Sequence, residues 1–337
     1  MEPAGETKTS AQTTTLVSEV RRKVMSSSSP AAASDTKTDQ QASLVQSQSQ
    51  LPNHLWLRSV LWLTIREQVV SVRGVSSSFR ECSDAYMEKF WLRPMVCVPQ
   101  DASSLTRAME MCLHLRRQEE YVEGRMVVVK VGSGVHEVEG SCQVPWDEKT
   151  YEKMLSVPCD KLSFVGQGEG KTTVHGGLVV ENGRKIRIEH LTVKSPSGHG
   201  LVASGTGVEM ILRGVTVGKC QDTGVWVEEG TKFDAMGCQF YQNGQSGVRV
   251  DGSTTTARFT NCTSHHNKGD GVWVTDGAVV DLMGEETSVH DNLNGLAACY
   301  DGSTINVYHP CVLDGMSHGN KNHNVYRYDG GTVRQKD

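Results

Sequence analysis

The sequence predicts a mainly-β solenoid of stacked coils of 23–24 residues, preceded by a small three-helix module and a long polar tail. Three observations carry this. First, a glycine followed by alternating apolar residues recurs as Gly177-Leu-Val-Val180, Gly200-Leu-Val-Ala203, Gly224-Val-Trp-Val227, Gly247-Val-Arg-Val250, Gly271-Val-Trp-Val274 and Gly295-Leu-Ala-Ala298, at intervals of 23, 24, 23, 24 and 24. Second, 28 of the 34 glycines lie between Gly166 and Gly331, where a coil needs turns. Third, short runs of period-two alternation precede these units: Ile186-x-Ile188, Val208-x-Met210, Phe233-x-Ala235, Ala257-x-Phe259 and Val280-x-Leu282. One such coil cannot bury its inner face, but a stack can, each strand pairing with its counterpart about 4.8 Å away.

Residues 1–50 are rich in Ser, Thr, Gln and Ala and hold no Phe, Trp, Tyr, Cys or His. They offer too little apolar surface to offset chain entropy, so a disordered tail is expected. Thr13, Thr14, Thr15 and Glu19 stand where a secretory signal would need its apolar core, and no run approaches the ~18–20 residues of a membrane span. Ten cysteines without a CxxC pair read as buried thiols of a reducing compartment. The cytoplasm or nucleus is therefore the expected location. With 34 basic against 39 acidic residues, the charge balance argues against nucleic acid as a partner.

Residues 51–95 concentrate apolar side chains, including Trp56, Trp62 and Trp91. Thr64-x-x-Glu67 is a capping box, Gly74 a helix stop, and Val75, Phe79, Cys82, Tyr86 and Phe90 recur at helical spacing. The segment resembles the F-box: Leu51-Pro52, then Val60-Leu61-x-Leu63, then Val75 through Phe79, then Phe90-Trp91-Leu92. It departs in placing Ser77 and Ser78 where basic or Cys residues are commoner, and Phe79 where Trp is usual.

Residues 96–176 read as a capping helix and first coils. Asp101 or Ser103 is placed to cap a helix with the apolar face Leu105, Ala108, Met109, Cys112 and Leu113. Strands are predicted over 126–131 and 162–165. From 177 to 337 the repeats follow, with inward stacks Leu178/Leu201/Val225/Val248/Val272/Leu296 and Val180/Ala203/Val227/Val250/Val274/Ala298. A seventh unit is expected at Asn324, after an insertion around 311–323. Nine residues before each glycine stand Leu191, Val215, Cys238, Cys262 and Glu286; four before stand Cys220, Asn243, Asn267 and Asp291, where an amide ladder is expected. The repeat resembles the right-handed parallel β-helix of the pectate-lyase-like superfamily, a fold that hosts lyases, hydrolases, epimerases and non-catalytic modules.

Sugar-cleaving chemistry on such a fold needs gathered carboxylates. The residues before the glycines hold a single acid, Asp270, so no aspartate trio forms. The adjacent acids Glu228 and Asp251, after their strands, are the best carboxylate pair. His265, His266 and His290 fall in one turn region near Asp291 and form a second acid–base or metal candidate, although their spacing follows no metal motif. No metal and no cofactor is therefore expected. The outward column Trp226, Arg249 and Trp273 has the composition of an interaction hot spot or a sugar platform; the alternative is that the C-terminal tail or the 141–160 loop covers it. The two modules together resemble F-box proteins whose substrate arm is a sugar-hydrolase-like β-helix. That resemblance implies a substrate adaptor of a cullin–RING ubiquitin ligase, more a binding protein than an enzyme. Leu51, Pro52, Val60, Val75 and Trp91 would contact a Skp1-like adaptor, and the β-helix a protein substrate. A carbohydrate-active β-helix enzyme (lyase, hydrolase or epimerase) and a purely structural repeat protein are the alternatives.

Overall fold

The computed structural model describes residues 95–117, 126–144 and 149–337. The expected tail over 1–50 lies outside the described residues, as does the F-box-like module up to residue 94 with Leu51, Pro52, Val60, Val75 and Trp91.

Three parallel sheets build the solenoid, one of ten strands and two of eight. A coil such as Glu209–Arg213, Thr216–Gly218 and Val225–Glu228 gives one strand to each. Two-residue corners separate the first two strands, and a longer turn ending in the repeat glycine leads into the third. The glycines are required there: a Cβ on Gly271 would meet Val289 Cγ1 at 2.2 Å and the Gly295 carbonyl at 2.9 Å. The neighbouring coil leaves no room for a side chain.

Both inward stacks of the third sheet are in register and buried, and Leu296 pairs with Val325, so the seventh unit starts at Asn324 as expected. The insertion before it holds the helical turn Leu313–Met316 and the short strand Ser317–His318. Phe164, Phe240 and Phe259 fill the interior, with the Phe240 and Phe259 rings edge to face at 6.0 Å. Cys238 and Cys262 are buried at one corner, the Cys238 amide donating to Cys262 Sγ at 3.5 Å.

Two columns shift in the fifth coil. Thr287, not Glu286, follows Cys262, and Asn292, not Asp291, follows Asn267. The turn Gly284–Thr287 is two residues longer than its counterpart Asn261–Cys262, while the flanking turns are each one shorter. The glycine interval thus stays at 24 and hides the change. With that correction the amide ladder is continuous. Asn243 Nδ2 donates to Asn267 Oδ1 (2.9 Å), Asn267 Nδ2 to Asn292 Oδ1 (2.8 Å) and Asn292 Nδ2 to Asn320 Oδ1 (3.1 Å).

At the N-terminal end, helix Leu105–Arg117 connects Met95–Val98 to Val127–Val131. Its cap is Ser104, whose Oγ accepts the Arg107 amide at 3.3 Å, rather than Asp101 or Ser103. Asp101 instead accepts the Cys97 amide at 2.7 Å. Leu115 is buried where Leu113 was expected. Among the described residues no helix is long and apolar enough to cross a membrane.

Candidate functional site

The middle residues of the third-sheet strands point outward and stack in register: Val179, Val202, Trp226, Arg249, Trp273 and Ala297. The first two rungs are covered. An antiparallel hairpin, Ser141–Gln143 with Thr150–Glu152, brings Val144 and Tyr151 with Met154 onto Val179 and Val202. Val144, Tyr151 and Met154, from the 141–160 segment, therefore cover these rungs.

That cover reaches the third rung through a histidine. The Tyr151 and His199 rings meet at 5.3 Å, and His199 meets Trp226 edge to face at 4.9 Å. His199 Nδ1 accepts the Thr223 amide (3.3 Å), so the imidazole proton sits on Nε2, facing Tyr151 Oη at 3.4 Å. Trp226 is consequently only 8% exposed, so at this end of the column the alternative of a cover from the 141–160 segment applies. The stacking itself holds. Arg249 Cζ lies 4.5 Å from the Trp226 ring and 4.3 Å from the Trp273 ring, a guanidinium between two indoles. Asp251 fixes it: Oδ2 accepts from Arg249 Nε (2.7 Å) and from Trp226 Nε1 (3.0 Å). Trp273 is half-buried and ends the stack.

The carboxylates are not the solvated turn residues their positions suggest. Glu228 is 7% exposed and Asp251 8%. Burial pushes the Glu228 carboxyl up to about 8; Glu229 and Asp251 add to the rise, while Ser204 and Arg249 oppose it. Asp251 is also raised by burial, against the pull of Arg249. Ser204 Oγ lies 3.2 Å from Glu228 Oε1 and 3.1 Å from Glu229 Oε2. The hydroxyl has one proton, so it serves one of the two carboxyl groups at a time, and its bond to Glu228 favours the charged form against burial. Glu181, Asn182, Ser204, Thr206 and Glu229 line an open depression of about 530 Å³ beside this cluster.

The histidines gather on a different face. His265 and His290 share a register column, and His318, hidden in sequence by the insertion, continues it. His323 lies elsewhere, stacked on Tyr326. Tyr151, His199, Ser204 and Asn292 are further residues that sequence reasoning missed. Ser204 was legible as the column neighbour of Glu228, Asn292 only through the shifted turn.

A parallel solenoid of this coil length is a right-handed β-helix, and a family model described as the right handed beta helix region matches residues 171–324. No curated protein matches the chain. Solved structures similar to this chain include two at low identity. ORF18 of Geobacillus virus E2 is 11% identical with a TM-score of 0.41; the match covers 77% of this chain and 62% of the viral protein, so the chain spans less than two thirds of its length. The A-module of the mannuronan C-5 epimerase AlgE4 of Azotobacter vinelandii is also 11% identical, with a TM-score of 0.24, over 65% of this chain and 93% of the module.

Proposed function

We propose that the protein is an F-box-like substrate adaptor of a cullin–RING ubiquitin ligase, with the β-helix as a non-catalytic arm for a protein substrate. The observation that carries the β-helix half is the locked Trp226–Arg249–Trp273 stack. Its base is clamped beneath the hairpin and its guanidinium is fixed by Asp251, so Trp273 presents a rigid indole at little entropic cost on binding. Asp251 spends one carboxylate oxygen on this clamp, which favours a structural role for it over a nucleophilic one. The adaptor half rests on Leu51, Pro52, Val60, Val75 and Trp91. Affinity capture of the full chain should recover a Skp1-like protein and a cullin, and Leu51→Ala with Pro52→Ala should abolish both. Trp273→Ala should keep the Skp1-like protein and weaken the substrate by roughly 2 kcal/mol, about thirtyfold. Capture of neither ligase subunit by the wild-type chain sinks this reading.

A second reading has its own observation. A carboxyl held protonated near neutrality beside a second carboxylate is the arrangement of an acid–base pair, here Glu228 with Asp251. It supports a carbohydrate-active β-helix. Release of reducing ends or unsaturated sugars from uronans, abolished by Glu228→Gln, would establish it; no release from any uronan would leave the pair structural.

A further inference from the structure

The outer face of the second sheet carries an unassigned row of imidazoles. Tyr241, His265, His290 and His318 form one register column over four coils, with successive ring centroids 5.6, 5.1 and 5.2 Å apart. The His265–His290 and His290–His318 pairs are within 4° and 2° of parallel. The next residue in each coil forms a second column, Gln242, His266, Asp291 and Gly319, all left-handed with φ of 52°, 57°, 55° and 65°. This corner turns the second column back beside the first. His290 Nδ1 lies 2.7 Å from Asp291 Oδ2, and His266 Nε2 lies 4.0 Å from the same oxygen. A Cβ at Gly319 would stand 3.1 Å from Asp291 Oδ1, so the glycine leaves that side of the carboxylate open.

We propose that His266, His290 and Asp291 bind a divalent late-transition metal, zinc foremost, at this corner. One ligand atom from each lies within 4.8 Å of the others. Two imidazole nitrogens and a carboxylate oxygen suit zinc and its neighbours, whereas calcium and magnesium take oxygen ligands. Three protein ligands leave a fourth position for water.

The surrounding contacts prepare the ligands. His265 Nδ1 and His266 Nδ1 are 2.8 Å apart, so one donates to the other. When His266 donates, its Nε2 keeps a lone pair on the side of Asp291, and His265 serves as the outer partner that fixes this tautomer. His290 gives its Nδ1 proton to Asp291 in the metal-free chain. On binding, the ring takes the tautomer protonated on Nε2, the proton exchanging through solvent, and the Nδ1 lone pair turns to the metal. The side chains of His266 and Asp291 are 53% and 48% exposed, so they adjust without disturbing the core.

The test is calorimetric titration of the full, untagged chain with Zn²⁺ alone, with Co²⁺ absorption as a second readout. One equivalent should bind, unaffected by excess Mg²⁺ or Ca²⁺. His266→Ala and Asp291→Asn, both at exposed positions, should weaken binding by more than the roughly 10–100-fold that loss of an outer partner costs, and His265→Ala should fall within that range. His323→Ala should leave affinity unchanged. Full affinity in His266→Ala and Asp291→Asn, or an equal loss in His323→Ala, overturns the proposal.

Discussion

Asn267→Ala is expected to destabilise the solenoid by on the order of 4 kcal/mol, far more than one small side chain usually contributes. Asn267 Oδ1 accepts both the backbone amide (3.0 Å) and Nδ2 (2.9 Å) of Asn243. Its Nδ2 donates to Asn292 Oδ1 (2.8 Å), to the Phe240 carbonyl (3.2 Å) and to Ser264 Oγ (3.2 Å). Asn243, Asn267 and Asn292 are all buried, so water cannot take over these contacts in a well-packed coil. Alanine would strand two donors on Asn243 and weaken the acceptors beyond, and each unsatisfied buried group costs about 1–3 kcal/mol. Urea unfolding of the full chain measures the loss. Asn320→Ala, at the half-buried end of the ladder, should cost markedly less. A loss below about 1 kcal/mol for Asn267→Ala would mean that the ladder is incidental to stability.

The fold was legible because the solenoid writes its geometry into the chain at fixed spacing. Every coil must place a glycine where the next coil crowds the backbone, and small or branched apolar residues where the interior is narrow. Features that break the period were not legible. The lengthened turn Gly284–Thr287 is compensated on both sides, so it leaves the glycine spacing untouched while displacing Asn292 and Thr287 from their expected columns. The hairpin over Val179 and Val202 is one insertion with no repeat of its own, and its target lies on coils distant in sequence. Trp226 and Arg249 could be paired from their register alone. That Trp226 is buried depends on Tyr151 and His199, which no periodicity connects to it. Glu228 and Asp251 likewise carry a turn's sequence signature in a buried place, because burial of a turn is decided by what packs over it.

Glu228→Gln should make the protein more stable at pH 9 than the wild type, and nearly equal to it at pH 5. Burial lifts the Glu228 carboxyl from 4.5 to about 8 in the folded chain. Between those values the folded state retains a proton that the unfolded chain has released. The wild type therefore loses stability as pH rises from about 4.5, and the loss levels off above about 8. Glutamine resembles the protonated acid in shape and hydrogen bonding and has no charge to bury. The gain at pH 9 should be on the order of 2 kcal/mol, roughly 5 °C in Tm, read by thermal unfolding across the pH range. Asp251 is raised too, so the variant keeps a smaller decline of the same sign at the acidic end. Glu229 distinguishes a local cause from a global one. Its charge helps hold the Glu228 proton, so Glu229→Gln should move the levelling-off point below about 8 without removing the decline. Identical pH profiles for the wild type and Glu228→Gln would show that this carboxyl ionises freely, and would also remove the acid that the carbohydrate reading needs.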